Sequence, residues 1–308
     1  MSTSTESETA ATAQLHTLEE ALLRTAGIPV ERRDVDAGGL RLHCLMCGEG
    51  EPLVLLHGRG NAAALFAPIL RQLAERRRVL ALDMPGWGLS DKPPFTGHTP
   101  EDALRYWMDG VLAFLDSQAL AQADILGHSL GGMTALGIAL DHPDRIGRLA
   151  LVDPAGLGRR IQLDVRLYFA LGPEKLHRRF GKRFTSFVMR QGQAMAEPVE
   201  FEFAHALLTQ EAVITSGARA FSRIVDLGGV HLDFVDRLSE LEMPVLMLWG
   251  DRDQVIPYEN GLAAMRLLHD GTLVALSRCG HSPYAERPDD FASVLLAWLD
   301  NLYVRPRI

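Results

Sequence analysis

The chain has 308 residues, 47% of them hydrophobic and 23% charged, which suits one large domain, or a domain with an insertion, around a substantial core. A formal net charge of -8 and a pI near 5.8 argue against general nucleic-acid binding, which needs a basic face. Three cysteines, Cys44, Cys47 and Cys279, cannot all pair within one chain, which favours a reducing compartment and a cytoplasmic location.

Residues 1–27 open with MSTSTESETAATAQ, rich in Thr and Glu where a signal peptide needs a basic start and an apolar run. They read as a disordered tail followed by a possible short helix over residues 15–26. No window of about 18 apolar residues appears, so no membrane span is expected. Strands are expected over residues 30–36 and 40–47, joined through Ala37-Gly38-Gly39, a turn suited to a hairpin. Cys44 and Cys47 fall in the second strand. No further cysteine pair follows, so they read as small apolar strand residues rather than a redox motif.

Residues 52–57 form a short, largely apolar run before a glycine, the mark of a strand buried on both faces. A helix over 62–75, a strand over 78–83, a helix over 100–117, a strand over 123–128, a helix over 131–140 and a strand over 149–153 follow. The rhythm returns with a strand over 244–249, a helix over 258–268, a strand over 272–276 and a helix over 289–302. Strand and crossover helix repeated in this way give an α/β fold, a mostly parallel sheet with helices on both faces. Between residues 153 and 244 lies an interval several times longer than a crossover helix needs. Residues 155–237 read as an inserted helical cap, leaving 28–154 and 238–308 as the core. The cap carries a basic run (Arg159, Arg160, Arg166, Lys175, Arg178, Arg179, Lys182, Arg183, Arg190). Solvated helix faces are the expectation there, with a docking surface for acidic partners or membrane as the alternative.

The chemistry begins at Gly127-His128-Ser129-Leu130-Gly131, a G-x-S-x-G after a buried strand and before a helix. A nucleophile on so sharp a turn takes strained backbone angles, so its neighbours two residues away must be small. A serine hydroxyl needs a base, and among the eleven histidines His281 fits best, in a loop at the carboxyl end of a strand. A buried carboxylate must then fix the imidazole, and Asp253, just past a strand, is expected in that role. Asp153 is the alternative acid and Asp251 a third. The backbone amides of Leu130 and Arg59 are the expected oxyanion donors, with Gly60 as the alternative to Arg59.

The order His57-Gly58, Asp83-x-Pro85-Gly86-x-Gly88-x-Ser90, Gly127-x-Ser129-x-Gly131-Gly132, Gly250-x-x-Asp253 and Gly280-His281 resembles the capped branch of the α/β-hydrolase superfamily. The resemblance covers nearly the whole chain from about residue 28. It implies an eight-stranded, mostly parallel sheet with a helical cap after the sixth strand, and neither cofactor nor metal. Epoxide hydrolases and haloalkane dehalogenases of this branch use an aspartate nucleophile where Ser129 stands, which argues against both. Ring-cleavage-product hydrolases use serine, and Asp153-Pro154-Ala155-Gly156-Leu157-Gly158 is similar to how some of them enter the cap. They commonly carry a tryptophan after the catalytic histidine, however, where this chain has Ser282-Pro283-Tyr284. Hydrolysis of a small-molecule carboxylic ester, or a related acyl substrate, through an acyl-enzyme is therefore the expected activity. Carbon–carbon bond hydrolysis and acyl transfer on the same triad are the alternatives, and a non-catalytic ligand-binding protein is the remaining one. Monomer and homodimer are both ordinary for such a chain.

Overall fold

The computed structural model describes residues 2–192 and 198–302. Strands β1 (Glu31–Ala37) and β2 (Leu40–Cys47) form the expected antiparallel hairpin. They are followed by β3 (Pro52–Leu56), β4 (Arg78–Leu82), β5 (Ala123–His128) and β6 (Ile146–Val152). A two-residue hairpin of β7 (Val225–Asp226) and β8 (Gly229–Val230) lies apart, and β9 (Val245–Gly250) and β10 (Gly271–Leu276) complete the main sheet. Eight strands run in the order β1-β2-β4-β3-β5-β6-β9-β10. β2 pairs antiparallel with β1 and β4, and every later neighbour is parallel.

The alternation of each strand sorts its side chains onto two faces. Leu53, Leu55, Leu246 and Leu248 pack with helices α1 (Ser2–Thr25), α2 (Ala67–Ala74) and α12 (Pro288–Leu299). Val54, Leu56, Met247 and Trp249 face α3 (Pro100–Ser117), α4 (Leu130–Asp141) and α10 (Tyr258–Met265). Both faces are covered, which is why these strands read as unbroken apolar runs. Cys44 and Cys47 fall on opposite faces of β2, buried and unbridged. Burial pushes the Cys44 thiol well above its usual range, and those of Cys47 and Cys279 up to about 11.

Helix ends follow local chemistry. Thr99 caps α3: its hydroxyl accepts from the Asp102 amide at 3.0 Å while the Asp102 carboxylate accepts from the Thr99 amide at 3.0 Å, and Pro100 opens the helix. Replacing Thr99 with Ala is expected to cost about 1 kcal/mol, read as a lower urea midpoint at unchanged turnover. α4 is buried on every side from Leu130 to Leu140, so no amphipathic stripe marks it in the sequence.

The N-terminus departs from expectation. α1 is one continuous helix over Ser2–Thr25, in place of a disordered tail and a short helix over 15–26. Its order comes from packing that composition does not reveal. Leu15, Leu22 and Leu23 join the same core as Phe203 and Leu207, and Glu19, fully buried, meets His43 on β2.

After β6 the chain leaves the sheet for the cap. Helices α5 (Leu163–Ala170), α6 (Pro173–Gly192), α7 (Pro198–Leu208), α8 (Glu211–Thr215) and α9 (Gly217–Ile224) lead to the small hairpin before β9. α6 breaks at Gly181, where φ is 73°. No helix among the described residues is long and apolar enough to cross a membrane.

Candidate active site

Ser129 stands between the end of β5 and the first residue of α4 with φ 53° and ψ -112°, a region that side chains rarely adopt. The turn is held tight by glycine. A Cβ at Gly127 would lie 2.4 Å from the Gly131 carbonyl oxygen, and one at Gly131 would lie 2.2 Å from that of Leu56. Its backbone is pinned as well: the Ser129 amide donates to Val152 at 3.0 Å, and its carbonyl accepts from Met133 and Ala155, each at 3.0 Å. The strain is thus distributed over two strands and a helix that fix the serine's direction.

The three residues expected to form a triad meet across 152 and 28 positions of sequence. His281 Nε2 lies 3.1 Å from Ser129 Oγ, and His281 Nδ1 lies 2.7 Å from Asp253 Oδ2. The second oxygen of Asp253 accepts from the amides of Val255 at 2.7 Å and Ile256 at 3.1 Å. An acceptor-only carboxylate on Nδ1 places the imidazole proton there, and Nε2 is left to accept from the serine hydroxyl. Asp251 is exposed and accepts from the Cys279 amide at 3.3 Å instead.

Asp153, the alternative acid, is fully buried beside this pair but is not bonded to the histidine. Its Oδ1 accepts from the Gly250 amide at 2.9 Å, and its Oδ2 has no hydrogen-bond partner among the described residues. Burial first, and then the neighbouring Asp253 charge, hold the Asp153 carboxyl well above the ordinary carboxylate range. Both causes favour the neutral form of Asp153, as expected when two carboxyls share a buried space.

The His57-Gly58-Arg59-Gly60 segment presses on the serine. The Asn61 amide donates to Gly58 at 3.2 Å, closing a turn with Arg59 near its tip, and a Cβ on Gly58 would stand 3.2 Å from Ser129 Cβ. His57 anchors the turn: its Nδ1 proton goes to the Gly58 carbonyl at 2.7 Å, and its Nε2 accepts from the Met84 amide at 3.0 Å. Burial lowers the His57 pKa, which keeps that ring neutral. Asp83 supports the same corner, accepting from the Ala63 amide at 2.6 Å and the Leu89 amide at 2.7 Å. The chain leaving Gly58 and the start of α4 are therefore two backbone segments that border the Ser129 side chain. The first amides of a helix have no acceptor within it.

Two side chains do more here than the sequence suggested. His128 donates from Nε2 to the His281 carbonyl at 2.7 Å, so the residue before the serine holds the loop that carries the histidine. Burial, then the nearby His281, push its pKa well down, and Nδ1 has no partner among the described residues. Arg59 does not offer its side chain to solvent. It pairs with Glu174 of α6 and lies over the rings of Phe169 at 5.0 Å, Phe221 at 5.2 Å and Trp87 at 5.7 Å. No local pattern ties Arg59 to a residue 115 positions away.

Above Ser129 the cap closes a cavity of about 310 Å³. Its wall is mostly apolar, including Ile161, Val165, Phe169, Leu208, Phe221 and Val230, and Arg59 is its sole Lys or Arg among the described residues. Behind it, Tyr168 donates to His177 Nε2 at 2.6 Å, His177 Nδ1 to Thr185 at 2.8 Å, and Thr185 to His205 at 2.7 Å. Burial, then the Arg59 charge, lower His177 to about 4, so this relay is neutral.

A family model described as the alpha/beta hydrolase fold matches residues 51–288, and the chain belongs to that family. It is 29% identical to a 2-hydroxy-6-oxo-6-(2'-aminophenyl)hexa-2,4-dienoic acid hydrolase of Metapseudomonas resinovorans, over 87% of this chain and 90% of the relative. It is 27% identical to a 2-hydroxymuconate semialdehyde hydrolase of Pseudomonas sp. (strain CF600), over 85% of this chain and 92% of the relative. Among solved structures it is similar to a membrane phospholipase A, with a TM-score of 0.76, 26% identity and coverage of 95% of this chain and 92% of that one. Both curated relatives are named as hydrolases of 2-hydroxy-6-oxo-dienoic acid or 2-hydroxymuconate semialdehyde substrates, and neither name is that of an ester hydrolase.

Proposed function

We propose that the protein is a serine hydrolase that cleaves the carbon–carbon bond beside a ketone in a 2-hydroxy-6-oxo-dienoate type of substrate. The observation that carries this reading is the naming of relatives that span about nine-tenths of their own length with this chain. Ser129 acts as nucleophile, His281 as base and acid, and Asp253 holds the imidazole. Ser129 Oγ attacks the ketone carbon as its proton passes to His281 Nε2, and the Leu130 and Arg59 amides hold the oxyanion. The carbon–carbon bond then breaks. The substrate reacts as its 2-keto tautomer, the 2-hydroxyl proton having moved to the carbon that leaves. The electron pair is therefore delocalised over the enone as a dienolate, which takes the proton from His281 and becomes the dienol acid. Water, deprotonated by the same histidine, releases the acyl group as a carboxylic acid. Arg59 would receive the substrate carboxylate by exchanging it for Glu174.

A second reading, ester hydrolysis, is favoured by that same ion pair. With Arg59 neutralised by Glu174, the cavity suits an uncharged apolar acyl group, and the similar phospholipase A is an ester hydrolase by name.

Two substrates separate the readings, each tried with wild type and Ser129→Ala. Wild type is expected to bleach the dienoate chromophore of 2-hydroxy-6-oxo-6-(2'-aminophenyl)hexa-2,4-dienoic acid and release 2-aminobenzoate, and Ser129→Ala to lose on the order of 10⁶ in turnover. Turnover of p-nitrophenyl esters with an unchanged dienoate would select the ester reading. A Ser129→Ala enzyme as fast as wild type would remove both.

A further inference from the structure

The basic run of the cap finds no use in the cavity, and the structure surrounds it with exposed apolar side chains. Nine large hydrophobic residues are exposed among the described residues, and six of them fall on α5 and its C-cap, α6 and the β7–β8 turn: Leu163, Leu167, Leu171, Phe180, Phe187 and Leu227. The first three recur every fourth residue along α5 and its C-cap, so they share one face. The opposite face of α5 carries Val165 and Phe169 into the cavity wall. α5 is therefore apolar on both sides, one side lining the cavity and the other lying bare. Leu227 sits in the turn of the hairpin packed on α5. Phe187 of α6 both lines the cavity and is 62% exposed, so the cavity mouth opens onto this face.

Charge separates this patch from an ordinary wet helix surface. Residues 159–188 hold eight Arg and Lys against two acids in a chain of net charge -8. One of the two acids, Glu174, is buried against Arg59. Arg159, Arg178 and Lys182 are paired with Asp233, Glu211 and Glu202. Arg160, Lys175, Arg179 and Arg183 are exposed and form no ion pair among the described residues. Exposed Leu and Phe interleaved with unpaired Arg and Lys make a surface that gains on both counts at an anionic lipid interface: rings and branched chains enter the acyl boundary while cations meet headgroups. Solvated helix faces account for the Arg and Lys but not for the bare Leu and Phe between them.

We propose that the α5–α6 face of the cap docks on an anionic lipid bilayer, with the cavity mouth turned toward it. The docking holds whichever bond the site cleaves, and its test needs no turnover.

Full-length Ser129→Ala protein is sedimented with vesicles of phosphatidylcholine alone or mixed with phosphatidylglycerol. Binding is expected to be more than about tenfold tighter to the mixed vesicles and to weaken in high salt. Arg179→Gln with Arg183→Gln should reduce it about fivefold per charge. Leu163→Ser with Leu171→Ser should reduce it as well, while in the Ser129 background soluble-substrate turnover stays at the wild-type level, since neither leucine lines the cavity. Equal weak association with both vesicle types, or binding indifferent to both double variants, overturns the proposal. So does a dimer in solution that Leu163→Ser with Leu171→Ser dissolves in the absence of any vesicle binding, which would give the face to a second copy.

Discussion

Asp253→Asn is expected to lower kcat by about 10⁴-fold with little change in fold. The amide keeps the volume and one acceptor for the Val255 and Ile256 amides. What it loses is the acceptor that holds the His281 Nδ1 proton at 2.7 Å. An Asn nitrogen facing Nδ1 donates instead, the imidazole proton moves to Nε2, and the Ser129 hydroxyl at 3.1 Å loses its base. Asp153→Asn makes the contrasting case. Its side-chain oxygen still accepts from the Gly250 amide, and a neutral amide replaces a carboxyl whose burial already favours the neutral form. Its effect on kcat should stay within about tenfold. Pre-steady-state turnover of the two variants on one substrate, beside wild type, is the measurement. A dead Asp153→Asn enzyme with an active Asp253→Asn enzyme would reverse the two roles and refute the assignment of the acid.

The site was readable in the sequence where chemistry is local. Gly127-x-Ser129-x-Gly131 is legible because a Cβ at Gly127 would run into the Gly131 carbonyl, a constraint contained within five residues. The strands were readable because period-2 burial between two helix layers writes itself as runs such as Leu53-Val54-Leu55-Leu56. His128 and Glu174 were not. Each acts through a partner more than a hundred positions away, and the local sequence of neither differs from an ordinary structural residue. The helix α1 failed for a related reason. Its Ser, Thr and Glu content favours a tail, and only the meeting of Glu19 with His43 and of Leu15 with the α7 core makes it a helix. The pairing that neutralises Arg59 in the cavity wall is again long-range.

The same Glu19–His43 contact predicts how stability responds to pH. His43 lies in β2 with its side chain 3% exposed, and both ring nitrogens meet carboxylates: Nδ1 with Asp34 at 2.7 Å and Nε2 with Glu19 at 3.0 Å. Acceptors on both nitrogens require both to be protonated, so the ring is an imidazolium. Burial alone would lower its pKa. The Glu19 hydrogen bond, the charges of Asp83 and Glu19 and the Asp34 hydrogen bond outweigh that penalty and raise it from 6.5 to about 9. A folded-state pKa above the unfolded one contributes stability that is fully present below about pH 6.5 and is lost as pH rises through about 9. The size of that contribution is about 3 kcal/mol. Urea unfolding of wild type at pH 6 and pH 10 should therefore differ by about that amount more than the same pair of measurements on a Glu19→Gln/His43→Gln double variant, in which the charged pair is gone. Removing His43 alone, as His43→Ala, should cost about 3–5 kcal/mol at neutral pH, because Glu19 is left buried with only Arg32, at 3.8 Å, to answer its charge. Far-ultraviolet circular dichroism should then show loss of the α1 signal ahead of the core. A double variant as pH-sensitive as wild type would mean that His43 is not charged in the folded protein and that α1 is held by its leucines alone.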